Sequence, residues 1–374
     1  MLISPMLNRA AKAACVAALL VPTALLADEF TQTNLVSDVP GMAAVTDPNL
    51  KNPWGVSFSP TSPFWVSNQV TGTSTLYNGA GAITPLVVTI PGSTTPPSGP
   101  TGQVFNSAGT GTFTVNGSAS TFIFDTLQGT IAAWNSSAGT TAVQTAATSG
   151  AIYTGLTLAT SNGSPYLYAA DSTGHIRVFD GSWNNVTTTT FAGKFIDPSP
   201  VAGFAPFNIQ TIGSQIYVTY AMLTPQGTPL PGGYIDVFDT AGNFIERFAT
   251  SGALEAPWGL VIAPSDFGSF AGDLLVGNFG NGEILAYDAL TSMYEGTLDG
   301  PNGLPLVNPY LWALETRTGG TGSDLGAVYF TAGINDQNDG LFGKIDPVPE
   351  PATIIEITSG IFAFAAFQLR RRFS

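Results

Sequence analysis

Four polar side chains stand at equivalent places in the sequence, and together they could bind a metal ion. Each ends a short apolar run, and they are Asn68, Asp125, Asp171 and Asn278. Carboxylate and amide oxygens suit Ca²⁺, which takes about six to eight such ligands. A bound calcium ion could polarise a substrate oxygen during hydrolysis. The alternative is that each side chain caps its own turn, as Asn and Asp commonly do.

Large aromatic side chains form a second candidate site. Trp54, Phe207, Trp258 and Trp312 each stand at the start of a predicted strand, three of them directly after a proline. Grouped on one face of the protein, such rings could stack on sugar rings. The competing interpretation is that they pack as core, because buried aromatic side chains dominate packing of this kind.

The chain has one histidine and one cysteine. Any catalytic triad or histidine-bound metal would have to use His175, yet the same place in other copies of a repeat described below holds Thr73, Thr130 or Tyr234. That tolerance predicts an exposed strand position and no catalytic residue. Cys15 lies in an N-terminal apolar segment, so the mature chain is predicted to have neither disulfides nor thiol chemistry.

A run from Asn335 to Gly340 alternates acidic and amide side chains in the manner of a calcium loop. Gln337 stands where such a loop would carry Asp or Asn. Gly340 is also explained by the repeat, as the glycine that precedes a strand. The metal therefore stays an open question from sequence: no cofactor is required, and Ca²⁺ is the one candidate.

The charge distribution excludes one class of partner. All but two of the 25 acidic residues lie within residues 28–347, together with six of the 11 basic residues, so this part carries a net charge of −17. Such a surface repels phosphate backbones, which argues against nucleic acid binding. Few charged residues overall, with abundant Gly, Thr and Ser, are typical of an extracellular all-β domain.

A repeat positions all of these side chains. A pattern of seven residues occurs six times. It begins with a glycine and a variable residue, and its third position is usually isoleucine. Two further residues follow, then an aromatic residue in most copies, and finally Asn or Asp. Two apolar strands precede most copies, which predicts four short strands per repeat. Six repeats favour an all-β, six-bladed β-propeller over an array of β-sandwiches, with residues 32–36 closing the ring as the outer strand of the last blade. The repeat glycines, spaced 57, 45, 59, 49 and 58 residues apart, are Gly72, Gly129, Gly174, Gly233, Gly282 and Gly340.

In a propeller the second strands end on the face where blades are linked, near the mouth of the central channel. The candidate calcium ligands would gather there, on the same face as the aromatic residues. The ligand-binding residues predicted from sequence are therefore Trp54, Asn68, Asp125, Asp171, Trp258 and Asn278.

Both ends of the chain carry targeting signals. Arg9 and Lys12 precede an apolar stretch, which predicts a cleaved secretory signal peptide over residues 1–27. Near the other end, residues 352–369 form an apolar run just long enough for a transmembrane helix. The basic residues that follow it would remain on the cytoplasmic side, and they are Arg370, Arg371 and Arg372.

The sequence Val348-Pro349-Glu350-Pro351 stands directly before this run. The motif, the apolar run and the basic cluster together resemble the PEP-CTERM sorting signal of Gram-negative bacteria. The resemblance implies that an exosortase-type enzyme in the inner membrane recognises the tail and cuts near the motif, which leaves the protein at the cell surface or outside the cell. The chain then divides into a signal peptide (1–27), a propeller (28–347) and a sorting signal (348–374).

Several segments of the body also resemble an uncharacterised family of bacterial secreted propellers that often carries this tail. They include Asn52-Pro53-Trp54-Gly55 and Ala256-Pro257-Trp258-Gly259-Leu260. The resemblance extends from about residue 34 to residue 345 and implies the propeller fold, without an activity that can be assigned to particular residues.

Taken together, the sequence favours a monomeric, non-enzymatic surface or extracellular-matrix protein that binds an exopolysaccharide or a surface protein. The alternative is a calcium-dependent hydrolase or lactonase on the top face of the propeller. A third possibility is a structural matrix component with no discrete ligand.

Overall fold

The computed structural model describes residues 29–92, 98–224 and 227–349, which form six small antiparallel sheets around a central axis. The six-bladed propeller predicted from the repeat is confirmed. The predicted signal peptide, and the predicted sorting segment from Glu350 onward, lie outside the described residues. Within the described ranges, no helix is both long and apolar enough to cross a membrane.

Four blades have the predicted four strands, which run from an inner strand at the axis to an outer strand at the rim. Blade 1 is Pro53–Ser57, Phe64–Asn68, Thr73–Tyr77 and Ile83–Thr89; blade 2 is Pro100–Phe105, Phe122–Thr126, Thr130–Trp134 and Val143–Ala147; blade 4 is Ala205–Ile212, Gln215–Ala221, Tyr234–Asp239 and Phe244–Thr250; blade 5 is Pro257–Ile262, Leu274–Asn278, Ile284–Tyr287 and Tyr294–Thr297.

Blade 3 differs, and the prediction of four strands in every repeat is wrong here. Its sheet contains Tyr153–Ser161, Ser164–Asp171 and His175–Asp180, and residues 181–204 follow without forming a strand. The carboxylate of Asp180 accepts hydrogen bonds from the backbone N–H groups of residues 182 and 184, so the chain turns sharply instead of extending along the sheet.

Blade 6 closes the ring with strands from both ends of the described chain. Leu311–Thr316, Val328–Ala332 and Leu341–Pro347 form its inner three strands, and Phe30–Ser37 pairs antiparallel with the last of these. The predicted closure by residues 32–36 is confirmed. Closure of this kind leaves no gap between first and last blade.

Several short elements lie outside the blades. They are the hairpin Thr114–Val115 with Ser118–Ala119, the 3₁₀ turns Ser136–Ala138 and Gly268–Phe270, and the helical turn Ile334–Gln337. The short strand Val45–Thr46 instead extends the sheet of blade 6, because it pairs parallel with Phe30–Ser37 at the outer edge.

Glycines let the inner strands approach one another closely around the axis. A Cβ atom on Gly102 would lie 2.4 Å from the backbone nitrogen of Leu156, and one on Gly155 would lie 2.1 Å from Oδ1 of Asn208. No side chain fits at such distances, so the glycines are required by the packing of neighbouring blades. Blade 4 has Asn208 at the corresponding place, and its Nδ2 donates to the Trp258 carbonyl over 2.7 Å.

Candidate ligand-binding site on the top face

A cavity of about 480 Å³ opens on the face that carries the turns between second and third strands, called the top face below. This volume lies in the range of about 300–1,000 Å³ that is usual for small-molecule sites. Blades 1 to 6 all contribute to its wall, and none of the described residues that line it carries a charge. Its wall includes Trp54, Gln69, Ile152, Ser172, Phe207, Leu223, Trp312 and Gln337.

Three tryptophans from the inner strands of blades 1, 5 and 6 fill the axis below this cavity. Trp54 and Trp312 stack with ring centroids 3.5 Å apart, and Trp258 meets both of them edge-on. All three are at least 95% buried, as is Phe207 from blade 4. The interpretation of these aromatics as core is therefore confirmed, although Trp54, Phe207 and Trp312 also line the cavity.

The backbone before each tryptophan has an unusual conformation. Asn52, Ala256 and Tyr310 each stand two residues before a tryptophan, and their φ angles are 45°, 49° and 55°. L-residues adopt this left-handed region rarely, and at a cost of roughly 1–3 kcal/mol. The same conformation in blades 1, 5 and 6 shows how these blades direct their indole rings to the axis.

The indole nitrogens differ in their hydrogen bonds. Nε1 of Trp312 donates to Oδ1 of Asn52 over 2.9 Å, and Nε1 of Trp258 donates to the Thr154 carbonyl over 2.9 Å. Nε1 of Trp54 has no hydrogen-bond partner among the described residues. It is enclosed by protein and does not open onto the cavity, so it is a costly unsatisfied donor within the core.

Amide side chains continue from Trp312 to the rim of the cavity. Nδ2 of Asn52 donates to Oε1 of Gln69 over 2.9 Å and to Oε1 of Gln337 over 3.4 Å. Nε2 of Gln69 donates in turn to the Ser98 carbonyl. Gln337 is held out over the cavity by a turn in which it and the two residues before it have φ angles of 66°, 56° and 54°.

The polar ring predicted from sequence does not line the cavity. Asn68, Asp125, Asp171 and Asn278 are fully buried at the top ends of the second strands of blades 1, 2, 3 and 5. The neighbours that follow three of them in sequence line the cavity instead, and they are Gln69, Ser172 and Phe279. The predicted residues therefore lie at the same edge of these blades as the cavity, but the side chains that line it are one residue further on in the sequence.

Two members of that predicted ring support loops next to their strands. The carboxylate of Asp171 accepts from the backbone N–H groups of Ile152 and Thr173, and it forms an ion pair of 2.8 Å with Arg177. Asn278 joins the connection between blades 4 and 5, with its Oδ1 accepting from the Glu255 N–H over 3.0 Å.

The other two members form hydrogen bonds inside the sheets. Nδ2 of Asn68 donates to the Thr75 hydroxyl over 2.9 Å. Asp125 accepts from the Thr101 hydroxyl over 2.7 Å and from the Gly102 N–H over 2.6 Å. Within residues 29–92, 98–224 and 227–349, no group of three or more His, Cys, Asp and Glu side chains is placed to hold a metal.

Burial dominates the electrostatics of two carboxyl groups near the axis. It raises the pKa of Asp125 to about 7, against the lowering effect of its hydrogen bonds from Thr101 and Gly102. Burial also raises the pKa of Glu315 to about 7. Glu315 lies at the opposite end of the channel, where it lines a pocket of about 230 Å³ with Gln103. Sequence reasoning did not single it out.

The candidate calcium loop has internal partners for its acidic groups. Asp339 forms an ion pair with Lys51 over 3.1 Å and accepts from Nδ2 of Asn335 over 2.9 Å. Asp336 accepts from the Tyr310 hydroxyl over 3.1 Å. The residue that departs from the calcium pattern, Gln337, is the one that reaches the cavity.

His175 lies where the repeat predicted it. It is exposed at the start of the third strand of blade 3, and Nδ1 is 3.4 Å from the Thr173 hydroxyl. The prediction of an exposed strand position is confirmed.

These features define a six-bladed β-propeller with an uncharged, aromatic-floored cavity on its top face. No family model matches the sequence. Proteins of Acanthamoeba polyphaga mimivirus are similar to this chain, and two of them match most of its length. Uncharacterized protein R648 is 33% identical over 327 residues, covering 83% of this chain and 78% of R648. Uncharacterized protein L690 is 32% identical over 334 residues, covering 83% of this chain and 84% of L690. The chain belongs to the family that R648 and L690 represent.

Solved structures share the fold at much lower identity. The apo form of a soluble aldose sugar dehydrogenase from Escherichia coli aligns with a TM-score of 0.52 and 12% identity, covering 85% of this chain and 100% of that one. The PQQ-bound aldose sugar dehydrogenase from Streptomyces coelicolor aligns with a TM-score of 0.50 and 13% identity, covering 86% and 99%. Similarity at this level shows a common propeller fold and nothing about substrate.

Proposed function

We propose that this protein is a non-enzymatic, exported binding protein that holds part of a neutral glycan in its top-face cavity. The observation that carries the proposal is the chemistry of the cavity wall: an aromatic floor below amide and hydroxyl groups, with no charged side chain in the described part of the lining.

The floor and the rim suit different faces of a sugar. Aromatic rings such as Trp54, Phe207 and Trp312 offer apolar area on which the C–H face of a pyranose can pack. Gln69, Gln337 and Ser172 supply the few polar groups that fix the orientation of such a ligand. The pattern favours an uncharged sugar over a phosphorylated or acidic one.

The same wall gives the hydrolase alternative little support. General acid–base catalysis needs a titratable group within hydrogen-bond reach of the reacting atoms. The lining residues that the structure describes contribute no carboxyl, imidazole, thiol, amine or guanidinium group. Binding without turnover is the simpler use of such a site.

Export completes the proposal and rests on the sequence alone. A signal peptide over residues 1–27 and a PEP-CTERM-like tail over residues 348–374 would bring the chain to the inner membrane and to an exosortase-type enzyme. A glycan-binding propeller at the cell surface or in the matrix could then attach exopolysaccharide, or a glycosylated surface protein, to the cell.

The test is binding of full-length protein to an array of neutral glycans, followed by calorimetry on each glycan that binds. Ser172→Trp places a large ring at the mouth of the cavity and should weaken binding at least tenfold. Ser164→Trp makes the same change in the same blade on the opposite face, and should bind like the wild type.

Two outcomes would overturn the proposal. One is that no neutral glycan binds. The other is that the Ser172→Trp protein, folded as judged by its unfolding midpoint, binds as tightly as the Ser164→Trp protein.

A further inference from the structure

Glu315 is the one charged residue among the described residues that line the lower end of the channel, on the face opposite the glycan cavity. The pocket there, called the lower pocket below, has a volume of about 230 Å³, and blades 1, 2, 3, 4 and 6 contribute to its wall. A smaller space of about 30 Å³ continues from it along the axis toward Trp258. Glu315 and Gln210 line both spaces.

The carboxyl group of Glu315 has no ion-pair partner in the described part of the chain. Oε1 accepts from the Thr316 N–H over 3.0 Å, and Oε2 has no hydrogen-bond partner among the described residues. The positive charge of Arg317 acts on Glu315 without forming an ion pair. Its guanidinium group is held instead by the carbonyls of Gly319 and Ser62, over 2.6 and 2.9 Å.

The unpaired oxygen of Glu315 is accessible, unlike the unpaired nitrogen of Trp54. The Trp54 nitrogen is enclosed by protein, whereas Glu315 is only partly buried and its Oε2 is not enclosed. Gln210 is also partly buried, and its side-chain amide forms no hydrogen bond with a described residue. A ligand that enters the lower pocket can therefore reach both side chains.

A partly desolvated carboxylate without a counter-ion favours a cationic ligand. Removing a charge from water is costly unless it is paired, and a charge-assisted hydrogen bond is roughly twice as strong as one between neutral groups. Burial raises the pKa of Glu315 to about 7, as expected of a carboxylate whose charge is not compensated. An anion would be repelled by Glu315 and by the net charge of −17 on residues 28–347.

The arrangement also discriminates among cations. No three His, Cys, Asp and Glu side chains of the described residues are placed to hold a metal, so a hard metal ion lacks most of the oxygen ligands that it needs. A guanidinium group pairs best with both oxygens of a carboxylate, but Oε1 of Glu315 is already used by Thr316. A primary ammonium group needs one carboxylate oxygen, and the amide oxygen of Gln210 can accept a second of its three N–H groups.

The size of the lower pocket suits the end of a chain better than a whole ligand. Its volume of about 230 Å³ lies below the range of about 300–1,000 Å³ that is usual for small-molecule sites. Val56, Val104 and Phe105 line the same pocket and supply apolar contacts for methylene groups.

We infer that the lower pocket binds the end of an aliphatic primary amine, with its ammonium group on Oε2 of Glu315. The alkyl chain would lie against the apolar part of the wall. This inference does not depend on the proposed function, because it concerns the opposite end of the channel from the glycan cavity.

The experiment measures binding of n-butylamine to full-length protein at pH 8 by ligand-observed NMR titration. This amine has the length and charge of a lysine side chain, and n-butanol and n-butylguanidine are the matched ligands. The amine should bind at least ten times more tightly than either of them. Glu315→Gln keeps the shape and removes the charge, so it should weaken binding of the amine at least tenfold. Glu246→Gln makes the same change at an exposed position in the outer strand of blade 4 and should bind like the wild type.

A second readout follows the charge of the carboxyl group. Binding of n-butylamine should weaken at least tenfold between pH 8 and pH 5, because Glu315 becomes protonated while the amine stays charged. Arg317, the charged group that acts on Glu315, stays protonated throughout this range. The Glu315→Gln protein should show no such change.

Two further ligands identify the source of the amine. If Nα-acetyllysine amide binds, the amine can be a lysine side chain of a partner protein. If cadaverine binds and the lysine derivative does not, the source is a free diamine.

Three outcomes would overturn the inference. The first is that n-butylamine does not bind, and the second is that n-butanol or n-butylguanidine binds as tightly. The third is that the Glu315→Gln protein, folded as judged by its unfolding midpoint, binds the amine like the wild type. None of them affects the glycan proposal, because Ser172→Trp should weaken glycan binding and leave binding of n-butylamine unchanged.

Discussion

Two parts of the propeller ring solve the same packing problem in opposite ways. At one equivalent position of the inner strands, blades 1, 5 and 6 carry Trp54, Trp258 and Trp312 and blade 4 carries Phe207, whereas blades 2 and 3 carry Thr101 and Thr154. The indoles reach across the axis, and Nε1 of Trp258 ends at the Thr154 carbonyl of the other part.

The difference explains why the cavity exists. The tryptophans fill the channel at the axis, so it is not an open pore. The small threonine side chains opposite them leave room for the cavity above the tryptophans. The threonines bond to nearby groups of their own part instead: the Thr101 hydroxyl donates to Asp125 over 2.7 Å. A propeller with six equivalent tryptophans would have no space for a ligand here.

Removing one of the tryptophans at the axis should have the largest effect on stability. Trp312→Ala should lower the free energy of unfolding by about 3–5 kcal/mol, because it empties the centre of the core and leaves Asn52 without its donor. Urea denaturation measures the change. Trp183→Ala is the control in the irregular segment of blade 3, where the indole is only partly buried, and a loss as large as that of Trp312→Ala would contradict the special role of the axis.

The blades that carry threonines should make the stability of the fold depend on pH, through Asp125 of blade 2. The pKa of Asp125 is about 7 in the folded protein and about 3.9 in an unfolded chain, so the folded state binds more protons between these values. Asp125 therefore stabilises the fold fully below about pH 4. This stabilisation, a few kcal/mol, is lost as the pH rises through about 7.

Urea denaturation at a series of pH values measures this slope. Asp125→Asn, which imitates the neutral acid, should flatten it between about pH 4 and pH 7. Glu315→Gln should remove a further part, because the pKa of Glu315 is raised in the same direction. A slope that is unchanged in the double variant would show that neither group titrates in this range.

Close contact between blades 3 and 4 should be the next most sensitive feature. Gly155→Ala should destabilise the fold by about 1–3 kcal/mol, since the added carbon would lie 2.1 Å from Oδ1 of Asn208. Gly319→Ala is the matched control, because the nearest atom to its Cβ is 4.0 Å away. Equal unfolding midpoints for the two variants would mean that blades 3 and 4 can separate at little cost.

The smallest effect is expected far from the axis. His175→Ala should change the free energy of unfolding by less than about 0.5 kcal/mol and leave glycan binding unaltered, because the side chain is exposed at the edge of blade 3. Thermal unfolding and calorimetry test both statements. A clear loss of binding would place the ligand on the side of blade 3 instead of the cavity.

Local patterns in the sequence were sufficient to predict the number of blades and most of their strands. The repeat glycines do two different things that the sequence cannot distinguish: Gly72 and Gly174 have positive φ angles, whereas Gly233 makes room for the ring of Pro257. Both requirements select glycine, so the period was visible. The inner strand Pro100–Phe105 was missed because Pro100 and Gly102 are residues typical of a loop.

The site was less predictable, since it depends on contacts between distant parts of the chain. Asn52 and Gln337 meet only after the ring has closed, and no local pattern connects them. The aromatic positions were found because they repeat. Gln337 was visible only as an exception to a calcium motif, and Glu315 had no signal in the sequence at all.

The strand pair that closes the ring has a mechanical consequence. Phe30 lies opposite Pro347, and the Val348 N–H donates to the Glu29 carbonyl, so both ends of the described chain leave blade 6 at the same corner. A force that pulls these ends apart breaks the hydrogen bonds between the two strands one after another, instead of loading all of them at once in shear. A force on one end alone leaves these hydrogen bonds unbroken, so the propeller would withstand attachment by a single tail far better than being stretched between two.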